Sequence, residues 1–128
     1  MEDPTEAWSA TGARTIRARS ETNRITTLTR ESLEGAAVDG GTDMAIYARE
    51  GEVRLYRWGD PIPAELAEST FRPCGVREIH TSGTSTVVTL TERALALAGF
   101  SEGTKLQQRT RDGGLKLSTN GPDIEVTA

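Results

Sequence analysis

Two β-branched, threonine-rich runs set the pattern of this chain. Ile25-Thr26-Thr27-Leu28 and Val87-Val88-Thr89-Leu90 lie sixty-two positions apart. Such residues favour strands, because their stiff χ1 suits a pleated surface. An extended run precedes each, Arg14 to Arg19 and Val76 to Thr81, joined to it by polar turns at Ser20–Asn23 and Ser82–Ser85. Thr29 and Thr91 follow where an N-cap belongs, since a hydroxyl can accept from the free N–H groups of a first helical turn. The spacing of Leu33, Ala36 and Ala37, and of Leu95 and Ala98, predicts short helices over Arg30–Ala37 and Glu92–Ala98. Gly40-Gly41 and Gly103 end them. Two strands then follow in each half: Met44–Ala48 and Val53–Tyr56, then Leu106–Thr110 and Leu115–Leu117. Glu50-Gly51 and Asp112-Gly113 sit at hairpin positions.

The two halves are therefore copies. At an offset of 62, without gaps, Ser20 to Tyr56 gives 12 identities in 37 positions, against roughly two or three by chance. Each copy reads strand, strand, helix, strand, strand. The pattern divides the chain into a flexible tail over 1–13, a first copy over 14–57, a linker over 58–75, a second copy over 76–118 and a last segment, 119–128. That last segment is a loose tail or an extra strand through Ile124 and Val126. In the linker, Pro63 stands at the start of a helical turn over Ala64–Ser69.

Composition narrows the class. The chain has 128 residues and a net charge of −4, with arginine far in excess of lysine. This acidic, arginine-over-lysine, threonine-rich bias resembles proteins of salt-loving archaea or their viruses. The positive charge is gathered in one place: Arg14, Arg17, Arg19, Arg24 and Arg30 face a single acid, Glu21. One cysteine, Cys74, excludes an intrachain disulfide and reads as an ordinary linker residue. The start, MEDPTEAWSATGAR, lacks the pattern of a signal peptide, and no apolar run reaches bilayer length. A cytoplasmic protein with no membrane partner is expected. One histidine, His80, and one thiol are too few for a nucleophile–base pair or a multi-ligand metal site. No enzyme activity, cofactor, metal or small-molecule substrate is expected. His80 reads as a strand-surface residue and Trp58 as an edge-packing one.

The series Asn23-Arg24, Ile25 to Leu28, Thr29, the short helix, Gly41-Thr42-Asp43 and two further strands, found twice, resembles the AbrB-type swapped-hairpin DNA-binding domain. The second copy, with Leu97-Ala98-Gly99-Phe100 and Glu102-Gly103-Thr104, lies closer to the family pattern there. The helix-start proline and a strict glycine-arginine pair are missing. The resemblance covers about 80 of 128 residues. It implies a mainly β fold with short helices, in which two ββαββ swapped-hairpin units interlock into a double-split β-barrel, a pseudo-dimer within one chain. Pairing between two chains is the other arrangement.

By position in the family motif, Arg17 and Arg24 would contact DNA. Strand alternation puts Arg17 and Arg19 on one face, a guanidinium pair suited to phosphates and guanine edges. Arg14 and Arg30 would add backbone contacts, and Asn23 a polar contact or a positive-φ turn residue. At the offset of 62, Arg17, Arg19 and Arg24 correspond to Ile79, Thr81 and Thr86, so the copies are expected to divide their labour. The reading is a transcriptional regulator that binds double-stranded DNA as a homodimer of tandem chains. The alternatives are a protein-interaction module such as an antitoxin, and a ring-forming tandem-copy assembly protein resembling MraZ.

Overall fold

The computed structural model describes residues 8–67 and 70–119. The first copy contains β1 (Ser9–Thr15), β2 (Arg17–Ala18), β3 (Arg24–Thr27), α1 (Arg30–Ala36), β4 (Asp43–Arg49) and β5 (Glu52–Arg57). A single helical turn, α2 (Ala64–Ala67), lies in the linker. The second copy contains β6 (Arg72–Glu78), β7 (His80–Ser82), β8 (Ser85–Leu90), α3 (Glu92–Ala98), β9 (Lys105–Arg111) and β10 (Gly114–Ser118). The protein is mainly β, with antiparallel sheets of order β1-β9-β10-β5-β4-β6 and β2-β3-β8-β7.

The copies complete each other. β1 pairs with β9 of the other copy, and β6 pairs with β4. At the centre of the larger sheet β5 meets β10, with Val53 opposite Leu117, Arg54 opposite Lys116 and Leu55 opposite Leu115. In the smaller sheet Ile25 lies opposite Thr89, Thr26 opposite Val88 and Thr27 opposite Val87. Both registers reverse about one axis, which passes between Arg54 and Lys116 and between Thr26 and Val88. The duplication is thus built as a pseudo-twofold. Inner-face residues of both sheets, among them Met44, Ile46, Leu55, Leu90, Leu106, Leu115 and Leu117, form one shared core.

Each first strand changes sheet at a buried isoleucine, Ile16 at 1% exposure and Ile79 at 0%. The crossing is pinned by backbone bonds to a turn of the opposite copy: Ile16 N donates to Thr104 O and Gly103 N to Ile16 O. In the symmetric position Ile79 N donates to Thr42 O and Gly41 N to Ile79 O. Gly41 and Gly103 hold φ values of 98° and 93° there, a conformation that only glycine adopts without cost.

These crossings correct the equivalence between copies. Ile16 matches Ile79, an offset of 63 rather than 62, because the second copy's turn is one residue shorter. Arg17 and Arg19 therefore correspond to His80 and Ser82, not to Ile79 and Thr81. The signal was present: Gly12-Ala13-Arg14-Thr15-Ile16 repeats as Gly75-Val76-Arg77-Glu78-Ile79. A gapless alignment from Ser20 onward passes over it.

Other boundaries also move. Residues 9–13, assigned to a flexible tail, form most of β1, and β6 starts at Arg72 inside the expected linker. Neither stretch shows a period-two pattern, because an edge strand held by its backbone ladder needs none. The first residues, 1–7, and the extra strand through Ile124 and Val126 lie outside the described residues, as does the end of the linker helical turn. Cys74 is no linker residue. It is the extra residue of a β-bulge in β6, buried, with its thiol donating to Arg72 O at 3.3 Å. Burial pushes that thiol above its ordinary value, against the Arg93 guanidinium nearby. Thr11 occupies the matching bulge in β1. The tryptophans exchange roles. Trp58, expected to pack, is 65% exposed, whereas Trp8 packs on the larger sheet, edge-on to Tyr56 with a centroid separation of 6.4 Å.

Both helices begin at the expected threonines, with Thr29 Oγ1 accepting from Ser32 N and Thr91 Oγ1 from Ala94 N. They end differently. Gly99 caps α3 with a φ of 77°, while Ala37 caps α1 with a φ of 59°. A left-handed alanine costs roughly 1 kcal/mol that glycine does not. Ala37→Gly is expected to stabilise the protein by about 1 kcal/mol, read as a rise of a few degrees in the thermal midpoint by circular dichroism. A fall would mean that the exposed cap carries no strain.

Candidate nucleic-acid interface

The smaller sheet turns one face to the core through Thr26, Leu28, Val88 and Leu90. Its other face carries two of the candidate arginines, Arg17 and Arg19. Arg17 is paired with Ile25, and Ala18 with Arg24. Paired residues share a face and successive residues alternate. Arg17 and Arg19 therefore point outward together, and Arg24 starts from the opposite face of the ribbon.

Hydrogen bonds agree. Arg17 Nη2 donates to Thr27 Oγ1 at 3.2 Å, along the outward face. Arg19 Nη1 lies 2.7 Å from His80 Nε2 of the other copy. That contact needs a neutral ring with Nε2 as acceptor, because a guanidinium only donates. Arg24 Nη1 instead donates to the carbonyls of Ser20, Glu21 and Asn23 at 3.0, 3.4 and 3.3 Å. It staples its own turn, which Ser20 Oγ supports by accepting from Thr22 N and Asn23 N. Asn23 has no positive φ, since Ala37 alone among the described non-glycine residues does. Its carbonyl accepts from Arg19 N and Ser20 N.

The remaining two candidates lie apart. Arg14 is exposed at the end of β1, its Nη1 bonded to Ala13 O at 2.7 Å. Arg77 repeats that geometry in β6, with its Nη1 2.8 Å from Val76 O. Arg30 opens α1 and lines a surface groove with Leu33, Glu34 and Asp39. The arrangement brings Arg17 and Arg19 together, adds His80, sets Arg14 and Arg77 at matching flanks and leaves Arg24 and Arg30 outside. His80 and Arg77 were missed because they belong to the copy that sequence reading treated as neutral.

The outer face of the larger sheet is also cationic, through Arg49, Arg54, Lys105, Arg109, Arg111 and Lys116. Aromatic rings lie on it. Arg49 stacks 4.4 Å from the centre of Phe71, and Arg54 sits between Phe71 at 4.7 Å and Trp8 at 5.4 Å. Arg111 and Lys116 approach Trp8 at 4.4 and 4.9 Å. Arg54 Nε also donates to Glu52 at 2.6 Å, which offsets the repulsion of Lys116 directly opposite across the strand pair. Arg49, Arg54, Arg111 and Lys116 are thus occupied in holding the linker and the start of β1 against the sheet.

Among the described residues no group of three histidine, cysteine or acidic side chains could hold a metal ion, and no helix is long and apolar enough to cross a membrane. Fold and site together define a small, pseudo-twofold, two-sheet β protein with an arginine pair on one face. No family model matches the chain, and neither the curated proteins nor the solved structures give a match.

Proposed function

We propose that this protein is a small transcriptional regulator that binds duplex DNA through the outward face of its four-stranded sheet. One observation carries the reading: Arg17 and Arg19 stand side by side on that face, each oriented by a hydrogen bond to a neutral group rather than by a carboxylate. A guanidinium held by a hydroxyl or an imidazole keeps its charge and most of its donors for phosphate or a guanine edge. The exchange of β1 and β6 between copies supports, on the same reading, the interlocked swapped-hairpin barrel of AbrB-type domains. A dimer of chains would present two such faces, each to its own DNA block, and light scattering of the free protein would detect it.

Duplex binding across a salt series tests the reading. Arg17→Ala/Arg19→Ala is expected to weaken binding at least tenfold near 0.1 M salt and to lower the salt slope by about 2. Arg24→Ala is expected to lower stability and leave binding within about twofold, as a turn staple should. Equal binding by wild type and the double variant would sink the proposal.

A second reading, a protein-interaction module, has one observation in its favour. Trp58 and Ile62, each 65% exposed, border an apolar cleft of about 300 Å3 with Tyr47, Tyr56 and Pro63. It becomes the better reading if the wild-type protein binds no duplex at any salt.

A further inference from the structure

The pseudo-twofold axis makes every residue of the outward face answerable to a partner in the other copy. The backbone obeys the symmetry closely: both crossings, both bulges and both central registers repeat. The side chains do not. Arg17 answers to His80, Arg19 to Ser82 and Arg24 to Thr86, while Arg14 and Arg77 alone keep their charge in both copies. The stretch from Arg14 to Thr27 holds four arginines against Glu21; its counterpart from Arg77 to Thr89 holds one arginine against Glu78. The Arg19–His80 bond crosses from one copy to the other, so the basic copy takes an acceptor from the neutral one.

We propose that a single chain reads a non-palindromic DNA block, gripping it with the first copy while the second supplies only the flanking Arg77. A symmetric scaffold with symmetric side chains would favour an inverted repeat, because each half of the protein would seek the same half-site. Removing the guanidiniums from one half removes that demand. Arg14 and Arg77 then hold the two phosphate flanks alike, and the inner contacts give the complex its direction. The inference rests on the duplex-binding reading above.

The test is selection of preferred sites from randomised duplex, with the mass of the complex giving the number of chains per site. A directional block holding one chain is expected. His80→Arg/Ser82→Arg should shift selection toward an inverted repeat and steepen the salt slope by about 2, from two further phosphate contacts. The exchange variant Arg17→His/Arg19→Ser/His80→Arg/Ser82→Arg preserves both the net charge and the symmetry-related imidazole contact. It should bind its selected block within about threefold of wild type, with the block reversed relative to the chain. If the wild type selects an inverted repeat with one chain bound across both halves, the inference falls while the function stands. If the wild type binds no duplex, or if Arg17→Ala/Arg19→Ala binds as well as wild type, the functional reading falls and takes the inference with it. Should either engineered variant fail to fold, wild-type selection alone decides.

Discussion

Gln108→Ile is expected to destabilise the protein by about 3 kcal/mol, and two further substitutions, Thr11→Cys and Ser32→Ala, should recover at least about 1 kcal/mol of that loss. Gln108 is fully buried on β9, opposite Leu117 of β10. Its side chain is satisfied by the other copy. Oε1 accepts from Ser32 Oγ at 2.6 Å and from Thr29 N at 3.3 Å, and Nε2 donates to Thr27 O at 2.8 Å. Thr11 Oγ1 lies 2.8 Å from Ser32 Oγ, and Thr29 Oγ1 donates to Thr11 O at 2.7 Å. The start of α1 is thus a closed polar network.

The same place in the other copy is apolar. Ile46, Ala94 and Cys74 stand where Gln108, Ser32 and Thr11 stand, and Thr91 keeps the cap by donating to Cys74 O at 2.9 Å. Isoleucine fits the position sterically, as Ile46 demonstrates. The cost of Gln108→Ile therefore lies in the buried groups left without partners, each worth roughly 1–3 kcal/mol. The companion changes remove the Ser32 hydroxyl, which loses its Gln108 acceptor, and the Thr11 hydroxyl bonded to it, and reproduce the apolar set. Urea denaturation followed by circular dichroism compares the wild type with the single and the triple variant. A triple variant less stable than the single one would show that the losses add, and that the polar set is no unit.

This network shows where the sequence was silent. The strands, the helices and their threonine caps were legible, because a β-branched run and a hydroxyl before an apolar face act locally. That α1 is capped through Gln108, seventy-six residues beyond Ser32, was not, since no local pattern separates an inward glutamine from an outward one. The arginine pair was legible for the same local reason: period-two alternation set Arg17 beside Arg19. Arg24 was misplaced because its face depends on the register of β2 against β3, which a turn of unknown length fixes. His80 was missed because its role needs the pseudo-twofold, and the one-residue indel at the turn hid the true equivalence with Arg17.

Compensation between copies extends to packing. Gly35 on α1 approaches Thr110 on β9 so closely that a Cβ would meet the Thr110 side chain. In the other copy the corresponding pair is Leu97 and Ala48, large on the helix and small on the strand. The two copies have exchanged volume across the same contact, so neither can be replaced by the other without overpacking or a void.

Either half of the chain alone, residues 1–66 or 67–128, is expected to lose its β-sheet signal in circular dichroism, and an equimolar mixture to regain it. The described residues contain eight strand pairings. Four are hairpins within a copy: β2–β3, β4–β5, β7–β8 and β9–β10. The other four, β1–β9, β5–β10, β4–β6 and β3–β8, join the copies. A separated half keeps two isolated hairpins, which are marginal in water, and exposes the inner faces of both. Self-pairing of the first half would restore the ladders at a cost. Arg19 would meet Arg17 of the second molecule instead of His80, and Thr11, Thr29 and Ser32 would face Ile46 instead of Gln108. Like charges and unpaired hydroxyls both disfavour that dimer. The halves should therefore prefer each other, with a urea midpoint that rises with concentration once they are separate molecules. Cooperative folding of the first half alone at the same concentration, unchanged by adding the second, would show that the exchanged strands are dispensable.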